Sequence, residues 1–220
     1  MKTIAAEHLI HAYGDEAEPA LRVQQGEEFC VETHDRFYPL LQGERLDERM
    51  INQVTGYVHV EGVSPGQTLK TEILDIELLG EAGIIVAAPG LGGFKEKITQ
   101  FRAKEVPLEG GFARFGEGIT IPINPMVGRI GTSPLGEPVP SGTPGSHGGN
   151  MDNNHITRSS TVYLPVYKEG ALLALGDLHA AMGDGESVIS GIEAYGKIKL
   201  TCTAVDEPKV SRPMVATDRW

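Results

Sequence analysis

The 220-residue chain has only two cysteines, no run of basic residues and no long apolar segment. Two cysteines, Cys30 and Cys202, are too few for a disulfide framework. The chain has 30 acidic and 19 basic residues, a formal charge of −11, which argues against nucleic acid or an anionic membrane as a partner. No apolar run approaches the roughly 18 residues of a spanning helix, and residues 1–6 lack the apolar segment of a signal peptide. We therefore expect a cytoplasmic protein with neither nucleic acid nor membrane as partner.

Several catalytic motifs are also missing. There is no Gly-x-Ser-x-Gly elbow, and Ser159-Ser160 lacks the glycine-rich setting of serine-dependent amidases. No phosphate-binding loop or dinucleotide fingerprint is present. Cys202 lies on the apolar face of a predicted strand, which favours a buried thiol over a nucleophile. A Cys-Glu-Lys site formed with Glu193 and Lys197 is rejected, because Lys197 lies on the face opposite Cys202.

Glycine (28) and proline (14) separate short segments of alternating apolar and polar residues. In 193–205, for example, every second residue from Ile198 onward is apolar, which predicts a half-buried strand. The segment 69–79 predicts another strand, with a bulge near Ile73-Leu74 where the alternation breaks. Helical periodicity is weak, and 48–54 is the one modest candidate. The pattern predicts a mainly β fold, a β-sandwich or jelly-roll-like structure with a smaller β unit and few helices.

Two further segments bear on how the chain is organised. Residues 161–167 and 171–175, separated by Lys168-Glu169-Gly170, predict a hairpin. Residues 122–144 hold six prolines, which predicts an ordered loop and excludes a central strand. This loop divides an N-terminal β unit, 1–120, from a motif-bearing β unit, 121–220, unless the two form one intertwined domain.

Polar residues concentrate between residues 147 and 186, where they alternate with glycines. Asp177 and His179 follow an apolar strand two residues apart, so both side chains leave the same face of extended backbone. Asp184 and Glu186 repeat this spacing, and Asp152 lies in a glycine-rich loop. A mixed set of histidine and carboxylates suits Zn²⁺ or another divalent first-row ion. The cluster therefore predicts a hydrolytic metal site.

The chemistry of such a site assigns provisional roles. A metal would polarise a carbonyl and acidify bound water, and Glu186 could carry the proton to a leaving amine. Backbone N–H groups of Gly148 and Gly149 could face a developing oxyanion. Two alternatives stay open: Asp184 and Glu186 could be turn residues that bond their own backbone, and His147 could simply order its loop.

Ordered blocks of sequence resemble the acetamidase/formamidase family over nearly the whole chain. The blocks are ETHDRF (32–37), TGYVHVEGVSPGQTL (55–69), GRIG (128–131), PGSHGGNMDNN (144–154), VYLPV (162–166) and GALLALGDLHAAMGDGE (170–186). The resemblance implies a β-sandwich-type fold, hydrolysis of short amides to a carboxylate and ammonia, and a homo-oligomer, dimer or tetramer. It also implies a divalent metal, zinc and in some cases calcium as a second ion.

Carried over to this sequence, the resemblance nominates the site residues. The metal ligands it implies are Asp35, Asp152, Asp177 and His179. Asp184 and Glu186 occupy the family's acidic Gly-Asp-Gly-Glu turn, and which carboxylate binds metal and which acts as base stays open. Together with His147 they are the catalytic candidates, and Gly148, Gly149 and Asn150 are the substrate-binding candidates.

The sequence also departs from the family pattern. It ends soon after the strand matching 193–205, so we expect a short form without the usual C-terminal segment. Gln67 stands where aspartate is more usual, and Met182 stands where glutamine is common, which predicts altered pocket polarity. Two function hypotheses follow: a metal-dependent amidohydrolase acting on a formamide- or acetamide-like substrate, or a non-catalytic β-sandwich module that binds a small ligand.

Overall fold

The computed structural model describes residues 1–14, 17–34, 37–41 and 53–219. Within them the chain forms one short helix, α1 (Tyr38–Leu41), and nineteen strands. The strands are β1 (Lys2–Ile4), β2 (Leu9–Ile10), β3 (Ala12–Tyr13), β4 (Leu21–Val23), β5 (Glu28–Glu32), β6 (Val54–Val60), β7 (Thr68–Leu78), β8 (Ala82–Ala87), β9 (Arg102–Glu109), β10 (Phe112–Gly116), β11 (Ile119–Pro122), β12 (Met126–Gly131), β13 (Val139–Pro140), β14 (Gly148–Asn150), β15 (Thr161–Pro165), β16 (Leu173–Ala181), β17 (Ile192–Ala194), β18 (Gly196–Val205) and β19 (Met214–Ala216). The prediction of a mainly β fold is confirmed. Across these residues no helix has the length and apolar character needed to cross a bilayer.

Two large sheets contain most of the strands. One has the order β1-β5-β18-β7-β15-β19. The other runs β11-β10-β9-β8-β17-β16-β12-β14, with β6 pairing β16, β2 and β4. A small third sheet pairs β13 with β3. Each large sheet combines strands from residues 1–120 with strands from 121–220, so the predicted domain division does not coincide with a division between sheets.

The main core lies between the two large sheets. It combines the buried apolar residues of β5, β7, β15 and β18 with those of β6, β12 and β16 in one cluster. In β18 the residues Ile198, Leu200 and Cys202 are fully buried while the alternate positions are partly exposed, as the period-two pattern predicts. A second cluster, which includes Val106 and Ile192, packs where β9 and β10 extend the larger sheet.

The predicted bulge in the 69–79 segment is confirmed. In the pairing of β7 with β18, Asp75 is opposite Lys199 and Ile73 is opposite Leu200, so Leu74 is the extra residue.

Two of the predictions about chain organisation are wrong. Residues 161–167 and 171–175 do not form a hairpin: β15 pairs with β7 and β19, whereas β16 lies in the other sheet. The proline-rich segment does contain a central strand, because β12 occupies the proline-free stretch between Pro125 and Pro134 and pairs with both β14 and β16. The helix expected at 48–54 falls mostly outside the described residues, and Val54 begins β6.

Candidate metal and catalytic centre

Three neighbouring strands of the larger sheet bring the predicted site together. β16 lies between β12 and β17 and is buried along its whole length. His179 of β16 is paired with Glu193 of β17 on one side and with Met126 of β12 on the other. Asp177 lies two residues away on the same strand, and its Oδ1 is 3.4 Å from the imidazole Nε2.

His179 lies at the centre of a group of carboxylates. Its Nε2 is 3.1 Å from Glu193 Oε1, 3.4 Å from Asp177 Oδ1 and 3.9 Å from Glu186 Oε1. The imidazole is completely buried. Burial lowers the pKa of His179, but the carboxylates of Glu193, Asp152 and Glu186 outweigh that effect and raise it.

Arg129 of β12 fixes the other side of Asp177. Its Nε lies 2.9 Å from Asp177 Oδ2 and also 2.9 Å from Asn150 Oδ1, and Nη1 donates to Ser141 Oγ at 3.4 Å. The Arg129 and Asp177 side chains expose only 4% and 2% of their surface. The guanidinium thus holds the Asp177 carboxylate and, through its contact with Oδ1, orients the Asn150 amide.

Glu186 lies where the carboxylate cluster meets a cleft of about 330 Å³. Burial and then the charge of Asp152 raise the pKa of Glu186 to about 8. A carboxyl group with this pKa exists in both protonation states near neutrality, which suits a proton carrier. The cleft is lined by Phe37, Gly92, Gly93, Arg129, Gly142, Asn150, Asp152, Asp177, Gly185, Glu186 and Ile189.

Three of the site carboxylates have unusual backbone conformations. The φ angles are 40° at Asp152, 61° at Asp177 and 36° at Glu186. Positive φ costs energy in a residue with a side chain, and such residues tend to cluster at functional sites. Here the conformation directs three carboxylates toward one histidine.

Two glycines leave room for the site groups. A Cβ at Gly128 would lie 2.6 Å from Asp152 Oδ1 and 2.9 Å from the backbone oxygen of Asp177. A Cβ at Gly191 would lie 2.6 Å from His179 Nδ1. Side chains at these positions would displace the carboxylate and the imidazole from their present places.

The residues present fit a divalent cation. One group of possible ligands is Asp177, His179 and Glu193, and a second is Asp152, His179 and Glu186; in each, the donor atoms lie within 4.8 Å of one another. Four carboxylates surround the imidazole, and the Arg129 guanidinium is the cation that faces them. Three buried atoms lack a hydrogen-bond partner of good geometry among the described residues. They are the two ring nitrogens of His179 and Oδ1 of Asp152. Most buried polar atoms in proteins have a hydrogen-bond partner, and a bound ion is one explanation for atoms that lack one.

Of the predicted site residues, the structure brings four together: Asp152, Asp177, His179 and Glu186. Asn150 also lines the cleft. Asp35 lies outside the described residues.

The remaining predicted residues lie elsewhere. His147 is buried with its ring centroid 5.0 Å from that of Tyr13, and it does not line the cleft. Burial lowers the pKa of His147. Gly148 and Gly149 pair with β12, and the Gly148 N–H donates to Gly145 O at 3.2 Å. Asp184 accepts a hydrogen bond from Asn154 Nδ2 at 2.9 Å in an exposed position.

Sequence reasoning missed Glu193 and Arg129 as site residues. Glu193 is the one charged residue between Glu186 and Lys197, in an otherwise apolar and small-residue segment. Arg129 is likewise the one charged residue of β12. An isolated charge within a stretch that reads as buried strand is the signal that would have found both, because buried charges need partners.

The chain is similar to known proteins of one family. Residues 137–217 match the model of the acetamidase/formamidase family. The structure of an acetamidase from Bacillus halodurans is 41% identical, with a TM-score of 0.92, over 98% of this chain and 75% of that one. A predicted acetamidase/formamidase from Thermoanaerobacter tengcongensis is 40% identical, with a TM-score of 0.94, over 99% and 73% of the two chains.

A formamidase-like protein of Schizosaccharomyces pombe is 30% identical to this chain over the aligned region. The alignment covers 71% of this chain and 52% of the relative, so the chain spans about half the length of that protein.

Proposed function

This chain belongs to the acetamidase/formamidase family, and from that premise we propose that it hydrolyses the C–N bond of a small neutral amide to a carboxylate and ammonia. The observation that carries the proposal is the buried His179 with four carboxylates around it, at the edge of a 330 Å³ cleft. A formamide- or acetamide-like substrate is small enough for this space.

We further propose that Asp177, His179 and Glu193 hold a divalent cation, with Asp152 beside them and Zn²⁺ the first candidate. Histidine with carboxylates is a donor set that zinc accepts. When bound, such a cation polarises an amide carbonyl and acidifies water. A calcium ion as a second cation is compatible with the surplus of carboxylates.

Glu186 is proposed as the proton carrier. As a carboxylate it accepts a proton from the water that attacks the amide carbon, and as a carboxylic acid it returns that proton to the leaving nitrogen. Its pKa of about 8 applies to the protein without a cation. A nearby positive charge stabilises the carboxylate and therefore lowers this pKa toward neutrality.

Asn150 is proposed to position the substrate. Its Oδ1 accepts the hydrogen bond from Arg129 Nε, so Nδ2 is left to donate to the substrate oxygen. Arg129 meanwhile holds the Asp177 carboxylate in place through the buried ion pair.

The test combines metal analysis with an ammonia-release assay on formamide and acetamide. We expect near-stoichiometric divalent metal and ammonia release that is lost in Glu186→Gln, while Glu169→Gln, at an exposed position, keeps wild-type turnover. Full turnover by protein verified as metal-free would overturn the metal role. Saturable binding of amides without any ammonia release would instead favour a non-catalytic ligand-binding module.

A further inference from the structure

A second cavity, of about 370 Å³, adjoins the polar cleft at Glu186. Glu186 lines both spaces. Gly191 also lines the second cavity. This glycine is next to the His179 ring, since a Cβ at Gly191 would lie 2.6 Å from His179 Nδ1. The second cavity therefore begins directly beside the groups proposed to act on the amide.

The walls of this cavity are mostly apolar. The apolar lining residues include Ile85 of β8, Ile121 of β11, Ile192 of β17, Ala181 at the end of β16 and Met182 directly after it. Ser190 adds little free polarity, because its hydroxyl accepts from Val86 N–H at 2.7 Å and donates to Val86 O at 3.0 Å. A neutral hydrocarbon chain is the ligand that such a surface favours.

The charges at this cavity restrict the ligand further. Asp184 and Glu186 line it, and no Lys or Arg does so among the described residues. A carboxylate at the far end of the substrate's acyl chain would meet two acidic groups without a cation to balance them. A chain that is both apolar and uncharged fits the walls and the charges together.

We propose that this cavity is an acyl-chain subsite, and that the enzyme accepts unbranched aliphatic amides of about four to six carbons in preference to acetamide. The inference rests on the proposed amidase function and specifies its substrate class. With the amide group in the polar cleft beside Glu186, the acyl chain passes into the second cavity. The volume of the second cavity lies within the range of small-molecule ligand pockets, whose lower limit is roughly 300 Å³.

The test is a substrate series run from acetamide through propionamide, butyramide and pentanamide to hexanamide. We expect kcat/KM to rise roughly four- to tenfold for each methylene until the cavity is filled. Adipamate has the length of hexanamide but carries a terminal carboxylate, and its kcat/KM is expected to be at least about tenfold lower than that of hexanamide.

A variant pair locates the effect. Met182→Gln keeps the side-chain length and adds polarity to the wall, so the ratio of kcat/KM for hexanamide to that for acetamide should fall at least about tenfold. Met214→Gln, at a methionine that is 42% exposed on the other sheet, should leave this ratio unchanged. Circular dichroism of both variants verifies that they fold.

The outcomes separate the two proposals. If acetamide is hydrolysed but the ratio does not exceed one, or if Met182→Gln leaves it unchanged, the subsite is overturned and the amidase function stands. If no amide is hydrolysed, the amidase function fails, and titration calorimetry with hexanamide and acetamide decides the subsite. Tighter binding of hexanamide that is lost in Met182→Gln supports it, and equal binding of the two amides overturns it.

Discussion

Arg129 Nε lies 2.9 Å from Asp177 Oδ2, and this ion pair is buried, since the side chains expose 4% and 2% of their surface. Removing one partner of a buried pair leaves an uncompensated charge, which typically costs about 3–5 kcal/mol. We therefore expect Arg129→Met to lower the free energy of unfolding in urea by that amount. The pair between Arg158 and Asp75 provides the comparison, because it is 67% and 43% exposed.

An exposed pair is worth at most about 1 kcal/mol, so Arg158→Met should have a small effect. The two variants remove the same side chain and differ in burial. Equal losses of stability would contradict the view that Arg129 balances a buried carboxylate.

The two possible ligand groups share His179 and differ in their carboxylates, which makes the proposed assignment testable. His179→Ala should abolish stoichiometric metal binding. Glu193→Gln should weaken zinc affinity by roughly 100-fold or more. Changing a residue that only hydrogen-bonds to a metal ligand already lowers metal affinity about 10- to 100-fold. Glu186→Gln should affect affinity less and turnover more. Equilibrium dialysis at buffered free zinc, followed by elemental analysis, ranks the zinc affinities of the variants. A weaker affinity in Glu186→Gln than in Glu193→Gln would exchange the roles of Glu186 and Glu193.

Local features of the fold could be predicted because they depend on nearby residues. The alternation in β18 and the bulge at Leu74 both follow from which neighbours are apolar. Pairing between distant strands could not be predicted in this way. The turn at Lys168-Glu169-Gly170 suggested a hairpin, yet β15 and β16 belong to different sheets, because each buries an apolar face against the other across the main core.

The same distinction applies to the candidate site. Asp177 and His179 are two residues apart, and this spacing predicted that their side chains face one space, although Asp177 reaches it with a φ of 61° and not from extended backbone. Glu193 reaches His179 only through the pairing of β17 with β16, and Arg129 reaches Asp177 only through β12. The prolines around β12 concealed that strand, although they flank it and do not interrupt it.

His147 has a structural position in this fold. It is buried against Tyr13, and burial lowers its pKa, so the imidazole is neutral at pH 7. We expect His147→Ala to destabilise the protein by about 2–4 kcal/mol through lost packing. Its kcat on acetamide should fall less than about tenfold, whereas loss of a proton carrier in Glu186→Gln costs about 100-fold or more. A His147→Ala protein of normal stability with a loss in kcat as large as that of Glu186→Gln would return His147 to the catalytic residues.

Cys202 links stability to alkaline pH. Burial raises the pKa of its thiol to about 12. In the unfolded chain the Cys202 thiol ionises near pH 8.5. The stability that this thiol contributes is therefore complete below that pH. It is lost as the pH rises toward 12, by about 1.4 kcal/mol per pH unit. Urea unfolding between pH 8 and pH 10.5 should therefore be less steeply pH-dependent in Cys202→Ala than in the wild type. Cys30→Ala leaves Cys202 in place and should keep most of the slope; an unchanged slope in Cys202→Ala would show that the buried thiol ionises without cost.

Gly128 connects packing to the candidate site most directly. Its added Cβ would meet Asp152 Oδ1 at 2.6 Å and the backbone oxygen of Asp177 at 2.9 Å, whereas at Gly116 in β10 the nearest atom is Lys104 Nζ at 3.7 Å. Neither glycine has a positive φ, so the two alanine substitutions differ only in the space available. We expect Gly128→Ala to lose about 1–3 kcal/mol of stability together with metal binding and ammonia release, and Gly116→Ala to keep all three. Because the closest contact is with a site carboxylate, stability and activity should fall together; a stable and active Gly128→Ala would mean that Asp152 can move away from β12 without leaving the site.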